Sequence, residues 1–303
     1  MSATSNRNSQ QSGQNERSKA HGFISLGVLC IATGPIFVKL ISGPGSLIAF
    51  YRLLFAALLL TPIAYIHQHR QPRPLSRKIV LTAILGGVAF SINVALWVTA
   101  LSMTTASKVT LLDNTAPIWV GLISWLLLGK RENRLYWIGL LVTFIGAGMM
   151  INLTHFQFDS RQGLGDLLAI LSGFTYALYL LITSHIRSQM DSITYSSILA
   201  CSGTLALFLF NWATGYLNQP MPTRSLALIF LMAVSSQVLG WLLINQALGM
   251  LPVNQAAIIL LGQPLVATLL GMVILKEIPT PIQAVGGILC LVGIFLVQQS
   301  NGG

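Results

Sequence analysis

From about Gly22 to Val297 the chain is a succession of apolar runs separated by short polar joints. This alternation constrains the fold more than any single motif, because one helical crossing of a bilayer core needs about 20 apolar residues. Ten runs fit that length: residues 22–41, 47–66, 79–101, 106–128, 135–151, 164–186, 193–216, 226–248, 253–275 and 282–297. Only 8% of residues are charged and 54% are apolar, against roughly 25% charged in soluble domains. The first run exceeds the apolar core of a signal peptide, about 7–15 residues, so it reads as a span. No joint is long enough to fold as a soluble domain, so the functional residues are expected within the spans. The expectation is an all-α integral membrane protein, with residues 1–20 as a disordered tail rich in Ser, Asn and Gln.

A repeat then divides the spans. Shifting the chain by 147 positions aligns Leu96 with Leu243, Ala100 with Ala247 and Met103 with Met250 without a gap. The same register aligns Pro117 with Pro264, Gly139 with Gly286 and Gly146 with Gly293. Proline and glycine matches carry weight because both residues set backbone shape. Each copy holds five spans, an odd number, so the second copy enters from the opposite side. The ten transmembrane helices therefore form two inverted five-helix repeats, over residues 21–152 and 163–298, followed by a short tail over 299–303. Inverted repeats are the construction of many secondary transporters.

Basic residues set the expected orientation. With the N-terminus inside, the inner segments hold Arg7, Arg17, Lys19, Arg70, Arg73, Arg77, Lys78, Lys130, Arg131, Arg134 and Arg187. The outer segments hold only Arg161, Arg224 and Lys276. Such a bias places both termini in the cytoplasm. The net charge of +10 is thus assigned to loops facing the cytoplasm and not to nucleic-acid binding.

Residues 105–129 break the apolar pattern most sharply, with Lys108, Asp113, Asn114 and Pro117 in one span length. A charge at the centre of a membrane helix costs about 2.5–3.5 kcal/mol on insertion scales. Proline-interrupted spans at matching positions of two halves point to a transporter's binding site; here these are the spans of Pro117 and Pro264. Pro35, beside Gly34, breaks the first span in the same way. Asp113 and Asn114 lie next to one break and Gln263 next to the other. Arg52 enters the second span at about the depth of Asp113. Either the two form a charge pair, structural or facing a cavity, or Arg52 meets a substrate carboxylate. Asn93 and Trp97 share a face of the third span with Gly86 and Phe90. Tyr176 and Tyr179 stand on the sixth span, with Ser172 and Thr183, and Trp241 and Asn245 on the eighth, with Gln237. Aromatics beside amides suit a cavity for an amphipathic metabolite; interhelical hydrogen bonding, about 0.6 kcal/mol each, is the alternative for any one of them.

Several of these residues fall in patterns that resemble the EamA-type branch of the drug/metabolite transporter superfamily. They are Phe50-Tyr51-Arg52, Ala100-Leu101, the mid-span Pro117, Leu128-Gly129 and Trp137-Ile138-Gly139. The position after Leu-Gly, often Glu in such repeats, is Lys130 here; the second half keeps the acid at Glu277. The resemblance implies export of a small metabolite or drug-like molecule across the inner (plasma) membrane by alternating access. It implies a cavity among the first four spans of each half, with the fifth and tenth bracing them. Asp113, the one acid deep in a span, is the candidate proton carrier if protons are the coupling ion. A channel or flippase is the alternative use of the same bundle. An intramembrane enzyme or sensor fits less well, because there is no H-E-x-x-H, no nucleophile elbow and no phosphate-binding loop. No cofactor or metal is expected; Cys30, Cys201 and Cys290 all lie in apolar spans without ligand spacing.

Overall fold

A computed structural model describes residues 2–71, 74–101, 103, 109, 112–129, 132–150, 160–270, 273 and 280–300. Lys108, Lys130 and Glu277 lie outside the described residues. The described elements are helical. They are α1 (Ser2–Ile31), α2 (Gly34–Leu40), α3 (Gly45–Arg70), α4 (Arg77–Leu101), α5 (Ala116–Leu128), α6 (Arg134–Met150), α7 (Ser160–Ile186) and α8 (Ser192–Ala213). After a short 3-10 turn come α9 (Thr223–Met232), a π-helical stretch (Ala233–Gly240), α10 (Trp241–Leu248), α11 (Val253–Leu260), α12 (Gln263–Leu270) and α13 (Pro281–Ser300). Among the described residues, five helices are long and apolar enough to cross a membrane alone, including Gly45–Arg70 and the composite Thr223–Leu248. The remaining spans are shorter apolar helices or broken pairs. The protein is an all-α integral membrane protein.

Two elements differ from the sequence reading. The tail expected to be disordered is written into α1, which starts at Ser2. Extending an existing helix needs no new nucleus, so even a polar segment can follow one. The eighth span, read as a plain helix, carries a π-helical stretch at its centre; no residue there announces it.

The breaks have a common form. α2, α5 and α12 each open with a proline in the first turn, Pro35, Pro117 and Pro264. A proline there removes an N–H that would have had no intrahelical partner. The chain turns just before each: at Thr33, at Asn114 and Thr115, and at Leu261 and Gly262. Thr115 N–H donates to Leu112 O and Gly262 N–H to Ile259 O, which closes these turns locally.

Packing between the halves is symmetric under their exchange. The third span packs on the sixth and the eighth on the first; the fourth packs on the sixth and the ninth on the first. The second and seventh, the fourth and ninth, and the fifth and tenth pack as equivalent pairs. α6 and α13 show the direction. A Cβ on Gly139 would sit 2.8 Å from Gly293 O, and one on Gly146 would sit 2.6 Å from Gly286 O. Rising numbers on one helix meet falling numbers on the other, so equivalent helices run antiparallel and the repeat is inverted. Thr143 and its equivalent Cys290 meet at the crossing, where the thiol donates to Thr143 O at 3.4 Å.

The largest core cluster joins Phe50, Leu53, Phe90, Tyr179, Tyr195 and Trp241 from both halves. Leu58, Leu126, Leu127, Trp212 and Phe295 point outward and are exposed, as suits a surface solvated by lipid tails. The α6–α13 seam generates a direct prediction. A Cβ at Gly293 would fall 2.1 Å from Thr143 Oγ1 and 2.5 Å from Thr143 N, so Gly293→Ala should destabilise by about 1–3 kcal/mol through overpacking. Thermal unfolding of the purified protein in detergent reads this; an unchanged transition would contradict the close seam.

Candidate functional site

The third span organises the interior. Gly86, Phe90, Asn93 and Trp97 lie on one face of α4, each a turn or two apart. Along that face the surroundings change from a closed polar network, through an aromatic cluster and a carboxylate anchor, to an open cavity.

Asp113 forms the anchor. Its Oδ1 accepts from Asn93 Nδ2 at 3.0 Å and from Ser172 Oγ at 2.5 Å. Asn93 Nδ2 also reaches Ser172 O at 3.0 Å, and Ser172 Oγ reaches Asn93 O at 3.2 Å. Asn93 and Ser172 are buried. Three spans meet here, and the turn that interrupts the fourth lies against the sixth. A Cβ on Gly173 would stand 2.8 Å from Asp113 O, so glycine admits the bent backbone. Asn114, the next residue, has a buried Nδ2 with no hydrogen-bond partner. Gln263 stands half-buried at the matching break of the ninth span.

Arg52 does not join this group: among the described residues there is no ion pair between Arg52 and Asp113. Arg52 Nη2 donates to Ser236 Oγ at 3.3 Å, in the π-helical stretch. Depth along a helix fixes height in the bundle, but not azimuth, and the two side chains point to different neighbours. Arg52 lines a cavity of about 580 Å3 together with Ser46, Val94, Trp97, Phe210 and Met232. Pro44, Thr214 and Tyr216 also line it. They belong to the joints after the first and seventh spans, so the cavity reaches that end of the bundle.

Tyr176, Tyr179 and Trp241 come together with Phe90. Tyr176 and Tyr179 are stacked at 6.0 Å, and Trp241 meets Phe90 and Tyr179 edge-on at 5.1 and 5.4 Å. Of the residues expected around a cavity, Arg52 and Trp97 line it, and Asn93, Asp113, Asn114, Tyr176, Tyr179, Trp241, Asn245 and Gln263 do not. Tyr179 Oη donates to Asn245 Oδ1 at 2.7 Å, and Asn245 Nδ2 donates to Ser196 Oγ at 2.9 Å. Arg187 continues the network from Nε to Asn245 O at 2.9 Å, from Nη2 to Gln246 Oε1 at 2.9 Å, and from Nη1 to Met190 O. These bonds tie the sixth, seventh and eighth spans together at this end of the bundle. Beside it Asp191 caps α8 by accepting from Thr194 N–H at 2.9 Å. Burial pushes the Asp191 carboxyl up, but the Thr194 hydrogen bonds and the nearby His67 and Arg187 outweigh it and hold it below the ordinary range. Its contribution is present above the ordinary aspartate range and is lost as pH falls through the folded value.

Ser172, Ser196 and Ser236 hold the named residues in place. Ser172 stands one turn before Tyr176 on a face already marked by polar residues. Ser196 and Ser236 had no comparable signal, because serines, even in the Ser196-Ser197 and Ser235-Ser236 pairs seen here, are common in apolar spans. The anchor is testable. Asn93→Leu leaves Asp113 with one donor, at an expected cost of about 1–3 kcal/mol. Asn93→Leu combined with Asp113→Leu should cost less than the sum of the single changes, because the two share one hydrogen bond. Strict additivity in thermal melts would argue against the contact.

The comparisons with known proteins agree with this architecture. A relative from Archaeoglobus fulgidus, named only as an uncharacterized transporter, is 28% identical over 292 residues, covering 94% of this chain and 99% of its own length. One from Synechocystis, also named an uncharacterized transporter, is 25% identical over 251 residues, covering 76% of this chain and 68% of its own. A crystal structure superposes with a TM-score of 0.77 at 15% identity, covering 93% of this chain and 98% of that one, which supports the fold. The EamA-like transporter family matches twice, over residues 18–152 and 163–298, one match for each half. Two matched five-helix halves around a shared interior, across nearly the whole length, make this chain a member of the EamA-like transporter family.

Proposed function

We propose that the protein is a secondary transporter that exports a small metabolite or drug-like molecule across the inner (plasma) membrane by alternating access. One observation carries the reading: the cavity lined by Arg52 and Trp97 reaches one end of the bundle, while Arg187, Asn245 and Tyr179 bind the sixth and eighth spans together at the other. In the orientation favoured by the basic joints, both termini are cytoplasmic and the cavity opens outward. Alternating access then requires the Arg187 network to open as the outer cavity closes. The two halves, built alike and inverted, supply equivalent inward- and outward-facing arrangements. The cavity volume falls in the range of about 300–1,000 Å3 usual for small-molecule sites.

Roles follow for the site residues. Arg52, Trp97 and the residues around them form the substrate site. Tyr176 and Trp241, packed with Tyr179 and Phe90, brace the third, sixth and eighth spans against one another. Asp113, with Asn93, holds the broken fourth span and is the candidate proton carrier. Asn114 and Gln263 stand beside the breaks that bend when access alternates.

Comparing metabolites inside and outside cells that lack or overproduce the protein tests the reading and identifies the substrate. Arg52→Ala should abolish the export phenotype at normal protein level. Asp113→Asn, which keeps an acceptor for Asn93 and Ser172, should abolish its dependence on the proton gradient. Export indifferent both to Asp113→Asn and to collapse of the gradient removes the proton role. Unchanged export with Arg52→Ala moves the substrate site elsewhere.

A further inference from the structure

Arg52 carries more information than a site assignment. Its guanidinium has five N–H donors and no acceptor capacity. Ser236 takes one of them through a neutral hydroxyl, and Nε is buried without a hydrogen-bond partner. Arg52 is half-buried and has no counter-charge among the described residues; a cation held partly out of water in this way is costly, so the position invites an opposite charge from outside the chain. A second polar atom on the same cavity is also unsatisfied: Ser46 Oγ is buried and lacks a partner. The remaining walls are mainly apolar, including Ile48, Val94, Trp97, Phe210 and Met232.

We propose that this cavity takes a small organic monoanion, a carboxylate carried on an apolar or aromatic body. The proposal rests on the transport reading of the same cavity. The carboxylate accepts from the Nη edge of the Arg52 guanidinium, whose planar fork matches two oxygens. The body lies against Trp97, Phe210 and Met232. A phosphate fits less well, because its extra charge and third oxygen call for donors that the apolar walls do not supply. An organic cation is disfavoured by Arg52 itself.

Three indoles of nearly equal shape separate the possibilities: indole-3-acetate, indole-3-acetamide and tryptamine, bound to the full-length protein in lipid nanodiscs and measured by calorimetry. Val94→Cys supplies a reporter, read as protection from maleimide labelling. The acetate should bind about tenfold or more tighter than the acetamide, with tryptamine weakest, and should protect Val94→Cys. Arg52→Gln should reduce the preference for acetate to less than about twofold. Arg52→Lys keeps the charge but loses the fork, so it should fall between the two; it carries the comparison should Arg52→Gln fail to fold. Equal binding of all three indoles, or a preference that survives Arg52→Gln, overturns the anion assignment. If all three still protect Val94→Cys in that case, the cavity remains a binding site. Absence of protection by any of them overturns the assignment as well. Should maleimide on Val94→Cys then leave export intact, the transport reading of this cavity falls with it.

Discussion

Every polar group within a bilayer core must find its partner inside the protein, since lipid tails offer none. The Asn93–Asp113–Ser172 contact is where this chain meets that demand under the greatest load. A carboxylate and an interrupted backbone sit in the same span, and the sixth span serves both. Asn93 and Ser172 supply donors to the carboxylate. Gly173, next to Ser172, admits the bent backbone. The third, fourth and sixth spans are thereby fixed to one another, and the third span carries that registration to the rest of the bundle. Its Phe90 meets Tyr179 and Trp241 below, and its Trp97 faces the cavity above.

The architecture is symmetric and the chemistry is not. The break shared by the fourth and ninth spans and the main interhelical contacts recur when the halves are exchanged, whereas the first-span break before Pro35 has no counterpart in the continuous sixth span. In the 147-residue register, however, Asp113 corresponds to Leu260 and Asn93 to Gly240, while Arg52 corresponds to Leu199. Symmetry therefore supplies one matched pair of broken helices, in the fourth and ninth spans, and the sequence differences place a carboxylate beside only one of them. A carrier needs matching inward and outward shapes, but recognition of a single substrate needs no second copy of the recognising groups.

Much of this was legible before any coordinate. Span positions followed from run lengths, the inverted repeat from prolines and glycines in one register, and the breaks from Pro35, Pro117 and Pro264. The face Gly86–Phe90–Asn93–Trp97 followed from helical spacing alone. What sequence does not fix is which way a helix is turned about its own axis relative to its neighbours. Arg52 and Asp113 lie at similar depth, yet Arg52 turns to Ser236 and Asp113 to Asn93 and Ser172. For the same reason Tyr179 and Asn245, read as cavity residues, close onto each other. The helical tail and the π-helical stretch were hidden for another reason: both depend on the helix they extend or interrupt, and not on their own residues.

The α6–α13 seam brings a last consequence. It joins Gly139 to Gly293, Gly146 to Gly286 and Thr143 to Cys290, each contact carried into its counterpart when the halves are exchanged. Such an isologous surface is complementary to itself, so two separate copies of a five-span chain, inserted in opposite directions, can make it as well as one fused chain can. Fusion removes a burden that separate copies bear. A free five-span chain must adopt both orientations and so must keep its loop charges balanced, whereas in one continuous chain the first half sets the direction for both. The distribution of charge fits this division of labour: Lys and Arg crowd the joints of the first half, and the joints beyond residue 187 carry only Arg224 and Lys276.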